Sequence, residues 1–129
     1  MHLLYHSSSL MEMDGLEIQQ TEGASRARIL ILKGSLTLKS LFEFQDLVRR
    51  DQPSTLIIDL GEVPYMDSAG LGAILGAYTS CERNGHRFGL ARVSQRVLTL
   101  LQVVGVDKMV PQYESVEAAE QQLTAKAAS

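Results

Sequence analysis

The residues best placed for chemistry in this 129-residue chain are Asp67 and Ser68, which open the stretch DSAGLGAILGAY. They stand where a short apolar run gives way to a helical pattern. Either side-chain oxygen can there accept from first-turn amides, and the helix dipole favours an anion at that spot. Capping alone accounts for both. It accounts less well for Gly70, Gly72 and Gly76, because a glycine inside a helix costs about 0.5–1 kcal/mol relative to alanine. Their presence predicts a close approach to that face by the underlying sheet or by a partner protein.

Other chemistries fit the chain poorly. Gly70, Gly72 and Gly76 read as a relaxed dinucleotide fingerprint, yet the next strand ends in Leu90, Ala91 and Arg92, with no acid for a ribose. Met66 stands where a nucleophile elbow needs its first glycine. His2, His6 and His86 are scattered and the single cysteine, Cys81, lies late in a helical stretch, so neither a metal cage nor a disulfide is expected. His86 reads as the surface start of a strand and Cys81 as a small packed residue. Asp59, ending an apolar run, is expected to cap the loop beyond it.

The elements that must position these residues follow from periodicity. LEIQQ at 16–20 and ARILILKG at 27–34, with turn chemistry at Glu22, Gly23, Ala24 and Ser25, read as a hairpin. Thr37 is expected to cap a helix with Leu38, Leu41, Phe42, Gln45 and Val48 on its inner stripe, closed before Pro53. STLIIDL at 54–60 has the unbroken apolarity of a central parallel strand.

A helix from Ser68 to about Arg83 follows, with Leu71, Ile74, Leu75 and Tyr78 inward and Asn84-Gly85 as its stop. Then come a strand at 86–93 and a helix capped by Ser94, with Val97, Leu100, Leu101 and Val104 inward. A weak strand at Lys108–Val110 and a helix from Ser115, carrying Val116, Ala119 and Leu123 on one face, complete the chain. The order ββαβαβαβα predicts one α/β domain: a mixed sheet of four to five strands packed by about four helices. Its expected span is 14–125, between a flexible lead-in at 1–13 and a tail at 126–129.

Composition bounds the function. At 45% hydrophobic and 21% charged the chain is ordinary globular material. A net charge of −3 and only 5% aromatics disfavour nucleic acid as a ligand. No apolar run approaches the roughly 18 residues of a membrane span, and the N-terminal residues lack a signal peptide's basic start. The expected location is the cytoplasm.

The GSLT turn at 34–37, the block STLIIDLGEVPYMDSAGLG at 54–72, NGHRFGLARVSQRV at 84–97 and LLQVVGVDK at 100–108 together closely resemble the STAS domain family, the anti-sigma factor antagonists of bacteria. The resemblance implies a non-enzymatic domain without cofactor or metal that binds an anti-sigma factor serine kinase and so releases a sigma factor. It further implies that the kinase phosphorylates Ser68 and that a metal-dependent Ser/Thr phosphatase reverses the modification. Asp67 is then the acidic neighbour. The docking face implied comprises Val63, Pro64, Tyr65, Met66, Asp67 and Ser68 with Ala69, Gly70, Leu71, Gly72 and Leu75, and minor contacts from Ser35 and Thr37.

Ala69 replaces a second hydroxyl common in relatives, and Thr37 replaces a common aspartate. Leu98 and Val103 fall off their helix's inner stripe and offer either a second surface or packing under the last helix. Two other functions remain: a STAS scaffold subunit in a stress-signalling or membrane-transport assembly, and a nucleotide-binding protein using the Gly70–Gly76 helix start.

Overall fold

The computed structural model describes residues 15–23, 26–50 and 53–128, with side chains described through Thr124. The expected lead-in at 1–13 and the turn residues Ala24 and Ser25 lie outside the described residues. Strands β1 (Leu16–Glu22) and β2 (Arg28–Gly34) form the expected antiparallel hairpin, in register from Leu16 opposite Gly34 to Glu22 opposite Arg28. Then follow α1 (Leu41–Arg50), β3 (Thr55–Glu62), α2 (Ser68–Arg83), β4 (Arg87–Ala91), α3 (Gln95–Val103), β5 (Gln112–Tyr113) and α4 (Val116–Ala128). The final helix runs through residues 126–128.

The five strands stand side by side in chain order, with β2 to β5 parallel. Right-handed crossovers between sequential neighbours put every crossover helix on one face. Leu41 and Phe44 of α1, Leu71 and Ile74 of α2, and Val97 and Leu101 of α3 accordingly share one core with Leu30, Leu32, Leu56, Ile58 and Leu90 of the sheet. The opposite face belongs to α4, whose Ala119 and Leu123 pack on Ile29, Ile57 and Ala91. Strand β3 is covered on both sides, so Thr55 to Leu60 are all buried and the apolar run has no polar alternation.

Local chemistry sets the helix ends. Asn84 ends α2 and Gly85 follows in the left-handed region at φ 71°; Gly105 does the same after α3 at φ 79°. Ser94 Oγ accepts from Val97 N at 3.2 Å, and Ser115 Oγ from Ala118 N at 3.0 Å.

Three sequence expectations shift. Helix α1 begins at Leu41, after a turn in which Thr37 Oγ1 accepts from Lys39 N; of the expected stripe Leu41 is buried and Val48 packs against the core, while Phe44 and not Leu38 or Phe42 fills the interior. Leu38 and Phe42 are about 60% exposed. Lys108–Val110 form a turn, and β5 begins only after Pro111, whose carbonyl accepts from Leu90 N. Val104, expected inside, is half exposed as the C-cap of α3.

Candidate functional site

The site is built where β2 and β3 end. Between Ile31 and Lys33 the β2–β3 register shifts by one residue, a bulge that re-aims the end of β3. Just before it Asp59, 4% exposed, accepts from Gly61 N at 2.9 Å and receives both Arg92 Nε and Arg92 Nη2, at 2.9 and 3.1 Å. Asp59 therefore caps the loop, as expected, and clamps it to the end of β4 through a bidentate pair the sequence reading did not foresee.

Beyond the bulge the two loops are zipped together. Leu36 N donates to Tyr65 O at 3.1 Å, Asp67 N to Leu36 O at 3.3 Å, and Leu36 and Met66 form a parallel bridge. Asp67 completes the join: Oδ1 accepts from Gly70 N at 2.8 Å and Oδ2 from Leu38 N at 3.1 Å. One carboxylate thus caps α2 and holds the entry of α1. The Gly70 N–H bond foremost, then the Leu38 N–H, draws its pKa below the ordinary carboxylate value, so the group is ionised at neutral pH.

Asp67, and not Ser68, is the N-cap. Ser68 is the first residue of α2 and its side chain is exposed. The Gly70 amide at this helix start holds the Asp67 carboxylate and is not free for an external anion. Gly70 is explained by packing, since a Cβ there would press on the Leu36 carbonyl. Gly72 and Gly76 are not: a Cβ at either meets nothing within 4 Å.

The implied docking residues divide by burial. Pro64, Tyr65, Ser68 and Gly72 are exposed, and Ser35, Thr37, Asp67, Ala69 and Leu75 are half-buried. Val63, Met66, Gly70 and Leu71 lie in the interior and shape the face from beneath. One further residue belongs to this face: Leu38, whose amide rests on Asp67, is an exposed apolar side chain, as Tyr65 is. Phe42, one helical turn beyond Leu38, is likewise exposed. The helical spacing of Leu38 and Phe42 reads in the sequence as part of a buried stripe, and the structure places both outside.

The remaining candidates stand apart. Burial, reinforced by Glu82, pushes the Cys81 thiol up to about 11, which makes it a packed residue and no nucleophile. His86 is half-buried in the turn before β4. Among the described residues no three His, Cys, Asp or Glu side chains gather where a metal could bind, and no helix is long and apolar enough to cross a membrane.

Known proteins are similar to this chain in sequence or in fold. An anti-sigma F factor antagonist of Paenibacillus polymyxa is 30% identical over 73 residues, which is 57% of this chain and 62% of that protein's own length. The match therefore spans less than two-thirds of the relative. The crystal structure of an anti-sigma factor antagonist from Mycobacterium paratuberculosis superimposes with a TM-score of 0.77 at 18% identity, covering 86% of this chain and 96% of that one. The Bacillus cell fate determinant SpoIIAA in its phosphorylated form does so at 0.66 and 19%, covering 81% and 98%. The sequence profile of the STAS domain matches residues 5–119. With that match over nearly the whole fold, and with an exposed serine opening the helix after its central strand, this chain belongs to the STAS domain family.

Proposed function

We propose that this protein is an anti-sigma factor antagonist: it binds an anti-sigma factor serine kinase, thereby releases a sigma factor, and is switched off when that kinase phosphorylates Ser68. A metal-dependent Ser/Thr phosphatase resets it. The observation that carries the reading is that Asp67 does the capping, which leaves the Ser68 hydroxyl exposed and without a structural task, in a loop region that also exposes the apolar side chains of Leu38 and Tyr65. The naming of relatives as anti-sigma factor antagonists, one of them solved in a phosphorylated form, supports it.

The switch is electrostatic. A phosphate adds about −1.5 to −2 charges at neutral pH. No Lys or Arg lies between Val63 and Leu75 to neutralise it, and the ionised Asp67 adjoins it. The helix dipole tolerates the phosphate in the free domain. In a complex that desolvates the face, an unpaired buried charge costs about 3–5 kcal/mol, so binding falls roughly 100-fold or more without refolding.

The test is the affinity of purified host anti-sigma kinases for wild type, Ser68→Ala and Ser68→Asp, with phosphorylation by kinase and ATP mapped by mass spectrometry. Wild type and Ser68→Ala bind alike, Ser68→Asp loses the partner, and the phosphate maps to Ser68. Equal binding by all three would show that Ser68 gates nothing, and a constitutive scaffold would replace the switch.

A further inference from the structure

Helices α1 and α2 follow adjacent parallel strands and run side by side in the same direction, leaving between them an open groove of about 260 Å³. Its walls are Phe44 and Val48 of α1 and Ala73 and Ala77 of α2, with Arg49 and Arg83 at its far end. Its lining on α2 begins at Ala73, five residues beyond Ser68. At about 1.5 Å per residue, the path from Ser68 to Arg83 is roughly 22 Å, or four helical turns.

Three observations give this groove an occupant. The chain carries net charge −3, yet the far end of the groove presents two arginines, neither with an acidic partner among the described residues. Leu38 and Phe42, just before and just inside the start of α1, are exposed apolar side chains outside the groove's own lining. Between them α2 carries Gly72 and Gly76, one turn apart on the same ridge as Ser68, facing open space and at ordinary negative φ. Nothing inside the domain accounts for their cost in helix stability. Their lack of side chains lets a second backbone come close.

Resting on the reading of the Ser68 face as the kinase-docking site, we propose that the α1–α2 groove is the second half of that site and receives an amphipathic helix of the anti-sigma kinase. The helix sets apolar residues toward Leu38 and Phe42 and carboxylates between Arg49 and Arg83. This is helix-in-groove recognition with charges fixing the direction of the incoming helix. Phosphorylation then acts at one end of an extended contact, while the arginine end supplies orientation and salt sensitivity.

The experiment titrates the purified host kinase into the full chain by calorimetry at low and high salt. It compares wild type, Ser68→Asp, the double variant Arg49→Glu/Arg83→Glu, and Gly76→Leu, each checked by thermal melting. The double reversal should weaken binding about 30-fold or more at low salt, with the deficit shrinking at high salt. Gly76→Leu should weaken it about 10-fold or more with no loss of melting temperature. If the double reversal melts without cooperativity, Arg49→Gln/Arg83→Gln replaces it, with a loss of about 10-fold expected.

Loss with Ser68→Asp but wild-type affinity in both groove variants overturns the groove and leaves the docking reading intact. Loss in the groove variants with none in Ser68→Asp upholds the groove and overturns the switch. If only one groove variant weakens binding, the two-ended helix placement is overturned. Indifference of every variant, or no binding by wild type, overturns both.

Discussion

At Ser68 the hydroxyl and the cap belong to different residues, and this division makes stability and switching separable by mutation. Replacing Ser68 by alanine removes an exposed group that caps nothing, so folding stability should change by no more than about 0.5 kcal/mol in a denaturant titration. Asp67 behaves oppositely. Its folded-state pKa is depressed by the Gly70 and Leu38 amides, so its contribution is fully present above the unfolded value near 3.9 and is lost as pH falls through that value and below. Asp67→Asn retains an acceptor oxygen but not the charge. Between pH 5 and pH 2.5 its melting temperature should fall less than that of wild type; parallel curves would mean the two amide bonds leave Asp67's ionisation uncoupled from folding. The D-S-x-G pattern made this pair legible in the sequence, but which oxygen fills the cap depends on one helical position, and both Asp and Ser satisfy the same preference.

The three glycines of α2 look alike in sequence and differ only once neighbouring elements are in place. Gly70 lies under the loop leaving β2, where a methyl group would strike the Leu36 carbonyl, whereas Gly72 and Gly76 face open space. Gly70→Ala should therefore destabilise the domain by about 1–3 kcal/mol. Gly72→Ala and Gly76→Ala should each stabilise it by about 0.5–1 kcal/mol. Urea denaturation of the three variants checks the signs; a stabilising Gly70→Ala would mean that the zipped loops yield at no cost. The same dependence on neighbours explains the phase of α1. Leu38, Leu41 and Phe42 fit a helical stripe, but the Thr37 turn delays the helix to Leu41, so Phe44 takes the core and Phe42 the surface. The exposure of Leu38 and Phe42 therefore shows only in the structure. Strand β5 lies a few residues beyond its expected place at Lys108–Val110 for a related reason: its two residues carry too little pattern to fix their position, and only pairing with Leu90 and Ala91 defines them.

Across the whole molecule the two faces of the sheet have different work. The face bearing α1, α2 and α3 holds the larger core and the Ser68 site, and the other is closed by α4 over Ile29, Ile57 and Ala91. The alternation of the sheet residues between two cores was implicit in the element order, because sequential right-handed crossovers leave only the last helix for the far face. That arrangement predicts independence. Leu123 is 4% exposed in the far core, so Leu123→Ala should cost about 2–3 kcal/mol of folding free energy. On the proposed function, the same variant, assayed well below its melting temperature, should bind the anti-sigma kinase as wild type does, because that core contains none of the residues proposed to dock. A loss of affinity in the fully folded variant would show that α4 acts on the docking face through the sheet. The domain would then be a coupled two-sided device and not a rigid platform carrying a local charge switch.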